Sequence, residues 1–329
     1  MGYNRDNFAK VSAEYEVKYQ RAVDSANIKC HEVYEKIPEL VLLDRELSQT
    51  AIKIISVSFS SDRNDIEDIN KQVGKIRKSN EKLLEKRAEI LKAHGYPADY
   101  TDIRYDCEKC SDTGYVGEKM CSCMKQALVM EGYRSSGISN LITLQTFENF
   151  SLDCYHENAE QYNNMCYVYK TLKAYATDFK NCKTDNFILF GGTGLGKTHL
   201  SSAVAGKVIE NGYDVLYVSI LAMLSDFEQQ RFGSSGFGEE GNNINRYYNC
   251  DLLIVDDLGS EITNQFTTTC IYNLINTRLN KRVSTIISSN LNQNDFRKRY
   301  WDRITSRIFG EYTPMLFVGK DIRLQKLKK

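Results

Sequence analysis

Residues 186–205 read Asn186-Phe-Ile-Leu-Phe190-Gly191-Gly192-Thr193-Gly194-Leu195-Gly196-Lys197-Thr198-His-Leu-Ser-Ser-Ala-Val-Ala205, and this order decides the fold. Four apolar, β-favouring residues precede glycines in G-x-x-x-x-G-K-[ST] spacing, and a helix-forming stretch follows. Each part has a physical task. The glycines let backbone N–H groups turn inward around phosphates. Lys197 supplies a point charge for the β and γ oxygens, and the Thr198 hydroxyl is a magnesium ligand. A helix starting near Lys197 aims the positive end of its dipole at the anion. Gly191, Gly192, Thr193, Gly194, Leu195, Gly196, Lys197 and Thr198 are therefore the expected binding loop for ATP with magnesium.

Working outward, the same rhythm repeats. Val215–Ser219, Leu252–Val255 and Thr285–Ser288 are short β-rich runs separated by helical stretches. The alternation predicts an α/β fold, a P-loop parallel sheet with helices on both faces. A last apolar run, Met315–Val318, follows Pro314. The stretch FGSSGFGEEG at 232–241 reads as a mobile loop.

The strand Leu252-Leu-Ile-Val255 runs into Asp256-Asp257. Ligands of open α/β sheets bind outside the C-terminal strand ends, so Asp256 is the expected magnesium carboxylate. Asp257 is placed to orient or deprotonate an attacking water, with Glu261 a second candidate. The competing reading of Asp257 is a turn residue before Gly259. The next strand ends at Asn290, expected at the γ-phosphate or the water. Arg303 and Arg307 are four apart and share a helical face. One of them is expected to enter a neighbouring subunit's site as an arginine finger, while Arg323 senses nucleotide in its own chain. The alternative is solvated arginines.

Ahead of this region lie two others. Residues 1–100 are rich in Lys, Glu and Ile without strand alternation. Pro38 interrupts the first helical stretch and Pro97 closes the second. Ile66, Ile69, Val73, Ile76, Asn80, Leu83, Arg87 and Ile90 recur three and four apart, the spacing of a coiled-coil seam with Asn80 and Arg87 as polar exceptions. This predicts a helical hairpin packing on itself, and an arm for docking a partner is compatible with it. Residues 101–130 hold Cys107-Glu-Lys-Cys110 and Cys121-Ser-Cys123. Two close pairs separated by a loop suit one tetrahedral zinc, with all four positions taken by thiolates and none left open for catalysis. Disulfides, free thiols and a redox sensor are the alternatives. The third region is 131–329.

Bulk composition fits. Hydrophobic residues make up 42% of the 329, enough for a sizeable core. Lys+Arg and Asp+Glu are both 43, which argues against a uniformly basic nucleic-acid coat but leaves room for a local basic groove. No stretch reaches the roughly 18 unbroken apolar residues of a membrane span, and the N-terminus has no signal-peptide core. Of ten cysteines, only the four at 107–123 cluster, which predicts a reduced cytoplasm and one metal site.

The motifs together resemble the DnaC/DnaI-type replicative helicase loaders of the AAA+ class, in the Gram-positive form. The residues carrying the resemblance are CEKCSDTGYVGEKMCSCMK (107–125), ITLQTFENF (142–150), FGGTGLGKTHLSSAVA (190–205), LLIVDDLGSE (252–261), TIISSNLN (285–292) and RITSRIFG (303–310). It covers residues 101–329; residues 1–100 share only a helical character. The resemblance implies that Asp256 and Asp257 occupy the Walker B positions, Asn290 is sensor 1, Arg307 the arginine finger and Arg323 sensor 2. Many AAA+ ATPases carry Glu where Asp257 stands, which implies slow hydrolysis. It further implies an ATP-dependent helicase loader of DNA replication. The N-terminal region would hold the hexameric replicative helicase. The ATPase domain would bind single-stranded DNA near Lys281 and Arg282, and would self-associate or pair with a related AAA+ protein. An IstB-type transposition helper ATPase is the nearest competitor, disfavoured by the zinc module. A zinc-containing ATP-binding adaptor with little hydrolysis is another. An initiator of the DnaA kind is disfavoured because the sequence stops at Lys329.

Overall fold

A computed structural model describes residues 3–60, 66–138, 144–156, 158–232 and 241–323. The chain divides into two compact units, Ser12–Cys123 and Met1–Val11 with Met124–Lys329. Among the described residues, no helix is long and apolar enough to cross a membrane.

The Ser12–Cys123 unit is built from α1 (Arg5–Lys36) from Ser12 onward, α2 (Pro38–Ser60) and α3 (Ile66–Ala93). Pro38 occupies the first position of α2, where its missing N–H has no intrahelical partner to lose. Helix α3 ends at Ala93, Gly95 follows with φ of 83°, and Pro97 lies beyond it. Helices α2 and α3 run antiparallel, as the seam predicted. Its two polar exceptions are paired across the hairpin: Thr50 Oγ1 donates to Asn80 Oδ1 at 2.7 Å, and Arg87 grips both oxygens of Asp44 at 2.7 and 3.2 Å. Val33, Ile37, Leu40, Leu43 and Leu91 form the buried apolar cluster, with Leu83 and Ile90 packed on it. The seam side chains of Ile66, Ile69 and Val73 lie outside the described residues. The cysteine module adds a small antiparallel pair, β1 (Tyr115–Val116) and β2 (Lys119–Met120), before α4 (Ser122–Ser135).

The second unit is a five-stranded sheet among the described residues, in the order β4-β5-β6-β3-β7, with every pairing parallel. In chain order its elements are α5 (Ala159–Thr177), β3 (Phe187–Phe190), α6 (Lys197–Glu210), β4 (Val215–Ser219), α7 (Ile220–Phe232), α8 (Gly241–Asn249), β5 (Leu252–Leu258), α9 (Gln265–Lys281), β6 (Ser284–Ser289), α10 (Gln293–Arg299), α11 (Asp302–Glu311) and β7 (Thr313–Leu316).

All expected strands form. Strand β5 continues through Asp256 and Asp257 to Leu258 with a register irregularity after Val255. Successive side chains of a strand face opposite ways, and here both faces are covered. Leu189, Ile254 and Ile286 bury against Leu172, Val204 and Val208, whereas Ile188, Leu253 and Ile287 bury against Met223, Ile271, Leu274 and Ile308. That double burial is why the strands read as continuous apolar runs. The loop expected at 232–241 falls at residues 233–240 outside the described residues.

Candidate nucleotide-binding site

Strand β3 delivers the chain to the C-terminal edge of the sheet, where it must turn sharply into α6. Gly194 and Gly196 adopt φ of 73° and 86°, a region costly for any residue with a Cβ. Space imposes glycine as well. A Cβ on Gly194 would lie 2.0 Å from the Asp321 carboxylate, and one on Gly196 would lie 2.8 Å from the Phe150 ring. The loop is thus pinned from outside. Ile322 N–H donates to Gly194 O at 3.0 Å, and the Tyr155 hydroxyl donates to Leu195 O at 2.9 Å.

Inside the loop, Lys197 Nζ donates to Gly191 O at 2.6 Å, Gly192 O at 2.7 Å and Asn290 Oδ1 at 2.8 Å. Burial lowers its pKa from the usual lysine value. The nearby Asp257 and Asp256 charges act the other way, and Arg323 reinforces the lowering. A triphosphate would supply the countercharge that this ammonium lacks at close range.

Strand β6 lies between β3 and β5, so three strand ends converge. Thr198 Oγ1 donates to Asp256 Oδ2 at 3.2 Å, bringing together the two expected magnesium groups. Asp256 is 8% exposed and also accepts from Tyr217 and Ser288. Asp257 is exposed, with φ of 61°, and accepts from Asn290 Nδ2 at 3.0 Å. Asn290 therefore bridges Lys197 and Asp257.

A cleft of about 270 Å³ is walled by Thr193–Thr198, Asp257, Asn290 and Arg323, together with Gln145, Phe150 and Cys154, whereas Gly191, Gly192 and Asp256 lie behind its wall. Phe150 stacks on Tyr169 with centroids 5.9 Å apart, and His199 meets its edge at 5.2 Å.

Other expected residues lie elsewhere. Glu261 is 2% exposed and accepts from Gly259 N–H at 2.8 Å and from the Tyr300 hydroxyl. It holds the turn after β5, buried away from the cleft. Arg303 and Arg307 sit on α11, exposed and half-buried respectively, and neither borders the cleft. Lys281 donates to Asn249 Oδ1 at 2.7 Å, and Arg282 caps α9 in the left-handed conformation. Sequence reading passed over Tyr217, Ser288 and Asp321. The available signal was a phenol and hydroxyls inside strands otherwise apolar, since a buried hydroxyl needs a partner.

In the Ser12–Cys123 unit, Cys107, Cys110, Cys121 and Cys123 have sulfurs all within 4.8 Å of one another. Cys107 Sγ is 3.9 Å from Cys121 Sγ, and Cys110 Sγ is 3.5 Å from Cys123 Sγ. Asp112, 2% exposed, accepts the backbone N–H groups of Asp106 and Cys107, both at 2.8 Å, and so fixes the first knuckle. Burial raises the Cys110 pKa, while the backbone N–H of Cys123 lowers that of Cys121.

Comparison with known proteins finds a matching family model and several relatives. The model of the IstB-like ATP binding proteins matches residues 158–309, just under half of the 329-residue chain. A replicative helicase loader DnaC of Buchnera aphidicola (subsp. Baizongia pistaciae) is 30% identical over 173 residues, covering 53% of this chain and 66% of that protein. The DnaC of Escherichia coli K12 is 24% identical over 229 residues, covering 69% of this chain and 88% of that protein. The chain thus spans a little under two thirds of the Buchnera relative's length. A crystal structure of the DnaC helicase loader aligns with a TM-score of 0.43 at 22% identity, over 52% of this chain and 98% of that one. Residues 158–309 thus match the IstB-like ATP-binding family model, in a chain similar in sequence to the DnaC replicative helicase loaders.

Proposed function

We propose that this chain loads a hexameric replicative helicase onto single-stranded DNA, using Mg-ATP binding and hydrolysis as its switch. The observation that carries the reading is the convergence of Lys197, Thr198, Asp256 and Asn290 from three adjacent strand ends, in a domain homologous to replicative helicase loaders. In this reading residues 1–100 grip the helicase, 101–130 fold around zinc, and 131–329 form the AAA+ domain that meets DNA near Lys281 and Arg282.

The metal-binding groups fit. Thr198 and Asp256 offer hard oxygens 3.2 Å apart, close to the roughly 3.0 Å between neighbouring ligands of an octahedral ion with bonds near 2.1 Å. Magnesium there would neutralise charge between the β and γ oxygens. The cysteine sulfurs, 3.5 to 3.9 Å apart in their closest pairs, match the roughly 3.8 Å edge of a tetrahedron with 2.3 Å zinc–sulfur bonds. Four thiolates suit zinc in a structural role.

The chain's own groups divide the remaining work. The loop N–H groups and Lys197 hold the phosphates. Asn290 and Asp257, already joined, position the attacking water, and the shorter reach of Asp257 keeps hydrolysis slow. Arg323 borders the cleft and reads the γ-phosphate in cis. Arg307 lies off the cleft and completes a neighbouring subunit's site, through self-association or a related AAA+ protein.

Two measurements test the proposal. Purified chain mixed with the replicative helicase of the same cell should form a co-complex, and its absence would overturn the loader reading. Steady-state ATPase should fall in Lys197→Ala and Asp257→Ala and respond to single-stranded DNA. Equal rates in all three proteins would remove the switch. The match to the IstB-like family supports a second reading, a transposition helper ATPase. Capture of a transposase without helicase binding would favour it.

A further inference from the structure

Strand β4 is Val215-Leu-Tyr217-Val-Ser219, a run whose sequence explains itself as apolar strand. Tyr217 is half-buried and packs on the core beneath α6, yet its hydroxyl points at the nucleotide edge. It donates to Asp256 Oδ2 at 2.6 Å and lies 3.3 Å from Ser201 Oγ on α6. The other carboxylate oxygen, Oδ1, accepts from the Ser288 hydroxyl on β6. With Thr198 on Oδ2, Asp256 is held by hydroxyls from α6, β4 and β6 at once.

These three donors are not equivalent. In the magnesium-nucleotide reading Thr198 would turn to the metal, and Asp256 would then be held by Tyr217 and Ser288. Carboxylates that serve a metal are commonly oriented by such outer hydrogen bonds, and losing one weakens metal binding without touching a ligand. The tyrosine also reaches Asp256 from the neighbouring strand, so its ring fixes the lateral position of the carboxylate as well as satisfying it.

We propose that Tyr217, together with Ser288, is a positioning residue for the magnesium carboxylate: the two hydroxyls preset the Asp256 rotamer beside Thr198 and thereby set how much magnesium the site needs. The proposal rests on the magnesium-nucleotide reading given above. The alternative is that the hydroxyls only satisfy a buried acid and support the fold.

The test uses the full chain, a fluorescent ATP analogue and a magnesium titration. Tyr217→Phe keeps the ring and removes one oxygen. Its magnesium midpoint for nucleotide binding should rise roughly tenfold, while nucleotide affinity in EDTA stays at the wild-type value. Ser288→Ala removes the donor on the other oxygen and should shift the midpoint in the same direction, which keeps the idea testable if the phenylalanine variant folds poorly. A thermal melt of each variant separates the alternatives. A lowered melting temperature with an unshifted magnesium midpoint, in either folded variant, overturns the proposal. If the wild type binds nucleotide with no magnesium dependence, the metal reading of the site itself fails, and this proposal falls with it.

Discussion

At the residue scale, the loop is defined less by its charges than by what its glycines permit. Gly194 combines a left-handed backbone with the Asp321 carboxylate where a side chain would begin. Gly194→Ala should therefore cost about 1–2 kcal/mol of backbone strain and push the loop or the 317–323 segment out of place. Calorimetric titration should show loss of ATP affinity, and wild-type affinity would show that the contact with Asp321 is dispensable. Lys197, Thr198, Asp256 and Asn290 were each legible because a motif or a strand end marks them. Tyr217 was not. Its role depends on which strand lies beside β5, and one sequence does not state that.

At the element scale, the α2–α3 hairpin shows how two polar residues can sit on an apolar seam. Arg87 and Asp44 have side chains only 14% and 17% exposed, and Arg87 also donates to Thr101 at 2.8 Å. Removing Arg87 leaves the Asp44 charge half-buried with the Tyr34 hydroxyl in place of a countercharge, so Arg87→Leu should cost about 3 kcal/mol. Urea unfolding followed by circular dichroism checks this, and an unchanged midpoint would mean that water already serves Asp44. The spacing of the apolar positions revealed the seam and its exceptions Asn80 and Arg87, but their partners Thr50 and Asp44 could be found only once the hairpin had closed. In the sheet, periodicity located every strand core, yet β5 ran three residues further than its apolar run, because Asp256 and Leu258 remain buried.

At the scale of the whole molecule, two predictions concern what holds each unit together. Residues 4–10 bond within the nucleotide-binding unit: Asn4 to Asp214 at 3.1 Å, Asn7 to Ser135 at 2.7 Å and Lys10 to Glu131 at 2.6 Å. Deleting the first eleven residues should lower the melting temperature of that unit by several degrees, since about 1 kcal/mol per lost hydrogen bond is typical. An unaltered melt would show those contacts to be incidental. For the cysteine module, metal analysis should return one zinc per chain. Its release on acidification or in Cys110→Ser should loosen the 12–123 unit, because thiolates must be deprotonated to bind. A metal-free sample with the same helical content and melt would refute the zinc assignment.

The sequence by itself determined the α/β class, the strand cores, the phosphate loop and the cysteine cluster. All of these are local: a period, a spacing, or glycines where the backbone must turn. Only the tertiary structure decided the strand order β4-β5-β6-β3-β7, and with it which side chains meet at the sheet edge. It also turned Glu261 away into a buried turn and kept Arg307 off its own chain's cleft. The physical reason is that contacts between strands distant in sequence form through packing and shared hydrogen bonds, and no local pattern records their partners. The phosphate loop is written along one stretch of chain, whereas the cage around Asp256 exists only where α6, β4, β5 and β6 come together.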